Sequence, residues 1–260
     1  MPAAIVTAAV APVLARPGVR SEQVSQAVMG ETAAVLEEEG AWRRLRLGRD
    51  GYEGWVHAGY LREVPSAEAW EQAADGWSLG ATVALAGGGF RQLPLGARVE
   101  TDRAGIVLPN GMRAWLTSGE VASRAEVVAK SRRVPAPDWA LEHFAGAPYE
   151  WGGVTPWGVD CSGLVQMTFA ARGVCLPRDA WQQAGAGEPV QPAEARPGDL
   201  LFFAESGDRI THVAFLAEDD TLIHSTLACG GVLREPWGPG TRAAFLRERL
   251  VAVRRIDDGR

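Results

Sequence analysis

Two stretches of the chain, 60 residues apart, carry one pattern. DGYEGWVHAGYL (50–61) aligns with NGMRAWLTSGEV (110–121): Asp or Asn, Gly, two residues, a small residue, Trp, an aliphatic residue, two residues, Gly, one residue, an aliphatic residue. Asp-Gly and Asn-Gly are preferred where a tight turn needs positive φ. The Trp–aliphatic pair after each turn predicts a short strand, with Trp55 and Trp115 as matching core anchors. Upstream of the copies, GETAAVLEEEGAWRRLRL and GARVETDRAGIVL alternate apolar and polar residues, the period of a half-buried strand. Short strands and glycine-rich turns, made twice, constrain the first half to two small β-barrels, residues 1–64 and 65–130.

AKSRRVPAPDW (129–139) is polar, contains proline, and reads as a linker. Beyond it the texture changes. DWALEHFAGAP predicts a helix capped by Asp138, with Ala140, Leu141 and Phe144 on one face. CSGLVQMTFAARG predicts a second, buried through Leu164, Val165, Thr168 and Phe169 and ended by Gly173. DAWQQAGA predicts a short third. From Asp199 onward DLLFFA, THVAFLA, TLIHST and LVAVRRI read as strands. Helices first and an antiparallel sheet afterward make an α+β domain over residues 131–260.

Composition narrows the function classes. Hydrophobic content of 47% and charged content of 22% are those of a globular chain that can bury a core unaided. A net charge of -6 and the lack of any basic run argue against nucleic acid as a partner. Cys161, Cys175 and Cys229 cannot all pair within one chain, and neither CxxC nor HExxH occurs. The expectation is no disulfide framework, no metal and no cofactor, with Cys175 and Cys229 as structural thiols. MPAAIVTAAVAPVLARPG lacks a basic leader region, is short of a membrane span and reads better as a strand. A cytoplasmic monomer with no membrane partner is expected.

In GVDCSGLVQMTF (158–169), Cys161 follows an irregular stretch and opens a helix. Unpaired N–H groups and the positive end of the dipole favour an anion there, so the thiol pKa is expected to fall. Asp160 is placed as N-cap and Ser162 in the first turn. A lone cysteine is more commonly an inert buried one, so a partner has to decide. THVAFLAEDDTLIHST reads as strand, acidic turn, strand, with His212 opening the first strand and His224 ending the second. A turn centred on residues 218–220 makes paired numbers sum to 436 or 438, which puts both histidines on one face. A slip of one residue would separate them. A thiolate to attack a carbonyl, an imidazole to move the proton and a polar group to orient the imidazole are then Cys161, His212 and His224. The Cys161 N–H and the Tyr149 hydroxyl are the candidate oxyanion donors.

GAPYEWGG, DCSGLV, PRDAWQQ, RPGDLLFF, THVAFL and LIHST, in this order between about 140 and 230, resemble the NlpC-type cell-wall peptidases. The first repeat copy is similar to bacterial SH3-like domains, and the second is a diverged copy. The resemblance implies an α+β papain-like cysteine peptidase domain preceded by two small all-β SH3-like barrels. It implies a Cys161–His212–His224 triad with Tyr149 beside it. It places Asp160 and Ser162, and the segment Arg178–Asp179, against the substrate. Members of that family cut the bond between D-γ-glutamyl and a diamino acid in murein peptides. Some, with SH3-like domains ahead of the peptidase, are intracellular and recycle freed peptides bearing an N-terminal L-Ala, whose amine the first SH3-like domain binds. By position, Glu22 and Tyr52 are the candidates here: an acid suits an ammonium group, and an aromatic face adds cation–π attraction. Hydrolysis of intact wall by a secreted enzyme, and acyl transfer on the same thioester, stay open.

Overall fold

Both turns of the repeat form, and by the same means. Asp50 Oδ1 accepts from the Tyr52 N–H at 2.9 Å, and Asn110 Oδ1 accepts from the Met112 N–H at 3.1 Å. Gly51 and Gly111 follow at φ +73 and +83, a region closed to most side chains. The structure is a computed structural model that describes residues 2–204 and 209–259. It divides into two units, residues 1–127 and 128–260.

The first unit is built from two sheets. β1 (Ala3–Val6), β2 (Val10–Leu14), β3 (Gln23–Val28), β4 (Thr32–Glu39), β5 (Trp42–Leu47), β6 (Glu53–His57) and β7 (Leu61–Val64) pair in the order β3-β2-β6-β5-β4-β1-β7. Alternation turns Val13, Leu45, Leu47 and Val56 inward to a common core. On β4 and β5 opposite charges face each other, Glu37 to Arg44 and Glu38 to Arg43. Such pairs favour this register over its neighbours. A short helix, α1 (Glu68–Ala73), follows, its Trp70 indole donating to the Gly30 carbonyl at 2.8 Å.

β8 (Gly76–Leu85), β9 (Phe90–Leu93), β10 (Arg98–Asp102), β11 (Gly105–Val107) and β12 (Arg113–Ser123) form the second sheet, in the order β10-β11-β12-β8-β9. The expectation of matching tryptophan anchors fails here. Trp55 is buried, but Trp115 is 46% exposed. Ala114, fully buried, takes the inner face of β12, so alternation sends Trp115 outward. Bulges after Leu116 and Gly119 then shift the register.

The expected linker is mostly helical. α2 (Arg124–Ser131) carries the chain into the second unit, and α3 (Ala136–Phe144) begins within the segment read as a loop. Asp138 is not its cap. Pro135 precedes the helix, Asp138 lies in its first turn, and the Asp138 carboxylate pairs with Arg234 at 3.0 Å. A two-stranded ribbon, β13 (Val154–Thr155) and β14 (Gly158–Val159), leads into α4 (Cys161–Ala171), which is buried on nearly every side. After α4 the Gly173 N–H bonds the Ala170 carbonyl and the Val174 N–H that of Phe169, a Schellman ending. α5 (Ala180–Gln183) is the short helix expected.

β15 (Glu188–Pro189), β16 (Leu200–Phe203), β17 (His212–Ala217), β18 (Thr221–Thr226), β19 (Gly231–Pro236) and β20 (Leu250–Arg255) make an antiparallel sheet, ordered β15-β20-β16-β17-β18-β19. α4 packs on β17 and β18, with Phe169 and Phe215 ring centroids 6.0 Å apart. Cys175 and Cys229 are exposed, not packed in the core. No helix among the described residues is long and apolar enough to cross a membrane.

Candidate active site

The start of α4 is assembled around one carboxylate. Asp160 caps the helix, accepting from the Gly163 N–H at 2.7 Å and the Gly152 N–H at 2.9 Å. Arg178 donates to its two oxygens at 3.0 and 2.6 Å, and Ser162 Oγ donates at 3.2 Å. Gly163 is required for close approach: a Cβ there would lie 2.1 Å from the Gly153 carbonyl oxygen. The two glycine-containing motifs, WGG and DCSG, are therefore two sides of one backbone contact.

Cys161 is the first residue of α4, so no carbonyl within the helix pairs with its N–H. The thiol is 7% exposed. Burial pushes its pKa up to about 12, Asp160 adds to the rise, and the Val213 and Ser162 N–H groups pull against it. The expected lowering by the helix terminus is thus overturned: desolvation of the charged form outweighs the first-turn N–H groups. The Val213 contact also places Sγ against the first residues of β17, beside His212.

The hairpin has the parity expected. Phe215 faces Ile223, Leu216 faces Leu222 and Ala217 faces Thr221, so paired numbers sum to 438. Asp219 and Asp220 make the turn at φ +56 and +53, left-handed values that Asp tolerates better than most residues. His212 and His224 share a face, and His212 Nε2 lies 2.8 Å from His224 Nδ1. Burial drives the His212 pKa down to about 3, helped by His224 and Arg242. His224 is lowered also, by burial, against the opposing pull of Glu235. Burial thus disfavours the charged form of the thiol and of the imidazole alike.

Two residues in this cluster carry no signal in the sequence. Glu235, on β19, lies 3.1 Å from His224 Nε2, and Arg242 donates to both Glu235 oxygens. Finding them requires the β18–β19 register, in which Leu222 faces Glu235 and His224 faces Leu233.

The remaining candidates separate. Tyr149 is half-buried and bridges Val159, beside the strand that runs into Cys161. Asp179 is half-buried at the start of α5; burial raises its pKa against Arg178 and a hydrogen bond from Trp181. Direct substrate contact does not fit Arg178. Its guanidinium is buried, and its terminal N–H groups go to Asp160, to Ser162 Oγ at 2.8 Å and to the Gly153 carbonyl at 3.3 Å. Asp160 and Ser162 are engaged in the same network, which fixes the helix start. Glu22 and Tyr52 belong to the first unit: Glu22 is exposed, and Tyr52 packs on the first barrel's core. Of the ten tryptophans, Trp115, Trp151, Trp157 and Trp181 are 45–58% exposed, so the reading of most as core anchors does not extend to these four.

Residues 146–250 match the model of the NlpC/P60 family, and residues 13–61 that of the bacterial dipeptidyl-peptidase SH3 domain. A probable endopeptidase of Haemophilus influenzae is 37% identical over 110 residues, 42% of this chain and 68% of that protein. This chain belongs to the NlpC/P60 family. It is a cysteine peptidase, with Cys161 opening the helix in the matched region. A γ-D-glutamyl-L-lysine dipeptidyl-peptidase of Bacillus cereus is 26% identical over 235 residues, 78% of this chain and 67% of that protein. Two Bacillus subtilis relatives, 45% and 44% identical, are matched over only 33% and 28% of their own lengths. The crystal structure of an NlpC/P60 family protein from Bacillus cereus superposes with a TM-score of 0.81, over 97% of this chain and 99% of that one, at 22% identity. The papain-like fold behind two small all-β barrels is shared with it.

Proposed function

We propose that this NlpC/P60 enzyme hydrolyses the bond between D-γ-glutamyl and a diamino acid in murein peptides freed from the wall, releasing L-Ala-γ-D-Glu. The observation that carries the reading is the 2.8 Å contact of His212 with His224 on the strand that meets Cys161. The dipeptidyl-peptidase type of the SH3 match ahead of it supports the choice of substrate.

The reaction starts from a thiol and an imidazole whose charged forms burial disfavours. Sγ attacks the γ-carbonyl carbon as its proton passes to His212, so no free thiolate accumulates beforehand. The Cys161 N–H and the Tyr149 hydroxyl receive the oxyanion. Collapse breaks the C–N bond, and the diamino acid leaves with the proton from His212, giving a thioester. Water, deprotonated by His212, adds to the thioester; a second collapse expels the sulfur, which recovers the proton.

Glu22 and Tyr52 are the candidates to bind the free amine of L-Ala, which would restrict the enzyme to freed peptides and suit a cytoplasmic role in recycling. The test is mass analysis of products from L-Ala-γ-D-Glu-meso-diaminopimelate and its lysine counterpart, with free and acetylated N-termini. Free peptide yields the dipeptide, Cys161→Ala yields none, and acetylation slows release. Turnover by Cys161→Ala ends the catalytic reading. Equal rates for free and acetylated peptide end the recycling reading.

A further inference from the structure

His212, His224 and Glu235 form a row across β17, β18 and β19, and the chemistry of its far end dictates the direction of every hydrogen bond in it. Glu235 is buried, 6% exposed, and Oε2 lies 3.1 Å from His224 Nε2. An ionised carboxylate only accepts, so the ring nitrogen facing it carries the hydrogen. A neutral imidazole has one N–H, and His224 Nδ1 is then a lone pair. It must accept across the 2.8 Å contact, so His212 Nε2 donates. His212 is left with its hydrogen on Nε2 and a lone pair on Nδ1, the form that can take a proton from a thiol.

The reverse polarity is the hazard. With its hydrogen on Nδ1, His224 would donate to His212 Nε2. The His212 hydrogen would then sit on Nδ1, and a neutral ring in that form cannot accept there. Nothing in the two histidines alone chooses between these arrangements. Arg242 protects the choice: burial alone would raise the Glu235 pKa, but hydrogen bonds from Arg242 and His224 hold it below the ordinary value. A protonated Glu235 could donate, and the direction would be lost.

We propose that Glu235, gripped by Arg242, is a positioning residue that fixes the tautomers of His224 and His212 and thereby makes His212 a base toward Cys161. The proposal rests on the reading of Cys161, His212 and His224 as the reacting groups. Glu235 does not touch the substrate in this scheme; it acts through two rings.

The experiment is long-range ¹H–¹⁵N NMR of ring-labelled histidine in the intact protein at pH 7.5, with His57→Asn and His143→Asn identifying the other two of the four histidines. In the wild type both His212 and His224 carry hydrogen on Nε2; a wild-type His224 protonated on Nδ1 overturns the proposal without any variant at Glu235. In Glu235→Gln the amide cannot satisfy Arg242 and His224 as the carboxylate does. There the Nδ1–H form appears, and kcat falls roughly 10- to 100-fold with KM little changed, as when an outer partner of a functional histidine is lost. Arg242→Gln keeps the Glu235 carboxyl but removes one of the two groups that hold it ionised, so the Nδ1–H form appears to a smaller extent than in Glu235→Gln and less kcat is lost. Unchanged tautomers or unchanged kcat in Glu235→Gln sink the idea. If instead Cys161→Ala retains activity, the catalytic reading fails while the tautomer result stands by itself.

Discussion

The His212 ring stands edge-on to the His224 ring, centroids 5.1 Å apart and planes at 67°, with Nε2 and Nδ1 2.8 Å apart. Both rings are buried, so the contact is shielded from competing water. Burial disfavours the imidazolium in each ring.

Alkylation of the substrate-free enzyme tests whether Cys161 and His212 rest uncharged. With its pKa raised to about 12, Cys161 holds little thiolate at pH 7, and the fraction grows as pH rises toward that value. Iodoacetamide should modify exposed Cys175 and Cys229 first and Cys161 slowly, faster in alkali, as read by peptide mass mapping. Rapid modification of Cys161 at pH 6 would show a preformed thiolate–imidazolium pair.

His212 makes the fold acid-sensitive. Its pKa falls from 6.5 to about 3, so its contribution is present above pH 6.5 and is lost as pH falls toward 3, where the unfolded chain binds a proton that the folded chain refuses. The loss is on the order of a few kcal/mol. Denaturant melts at pH 7, 5 and 4 should show it, and His212→Gln should flatten the dependence. An equal slope in that variant would assign the acid sensitivity elsewhere.

Arg178→Met should be costly in stability and in rate together. It strands Asp160 as a buried charge without its cation, and breaking such a pair costs about 3–5 kcal/mol. Because Asp160 also caps α4, Cys161 should shift, and kcat should fall with the melting temperature. A variant of wild-type stability and reduced affinity alone would return Arg178 to a substrate-contact role.

Gly163→Ala should disturb the proposed nucleophile, Cys161, without altering any polar group. The added methyl would meet the Gly153 oxygen at 2.1 Å, and overpacking costs about 1–3 kcal/mol. A lower melting temperature and a drop in kcat are expected; full activity would mean that the backbone contact is loose.

The sequence made some of these features legible because they depend on local parity or local chemistry. The face shared by His212 and His224 follows from an unbulged hairpin, and the Asp50 and Asn110 turns from the Asx–Gly pairs themselves. Trp115 was misread because the repeat pattern marks a strand but not its inner face, which Ala114 occupies. Segment 129–139 was misread because its polar residues lie on two short helices whose apolar faces carry Val127, Trp139 and Ala140. The Cys161 pKa was misjudged because the motif reveals the helix terminus but not the burial. Glu235 and Arg242 were invisible because only a long-range strand register brings them to His224.

The helix that carries Cys161 is held by an arginine at each end. Arg178 binds Asp160 at the start, and Arg172, fully buried after the last turn, donates to the Ser131 carbonyl at 2.6 Å, to the Val134 carbonyl and to Asp258. The segment entering this unit and the segment near the end of the chain are thereby fastened to one point, a full helix length from the thiol. Axial sliding of the helix would have to break both clamps together. The Cys161 sulfur therefore takes its coordinates partly from residues a full helix length away, and changes near Asp258 should be felt first as a misplaced Cys161 rather than as a loosened tail.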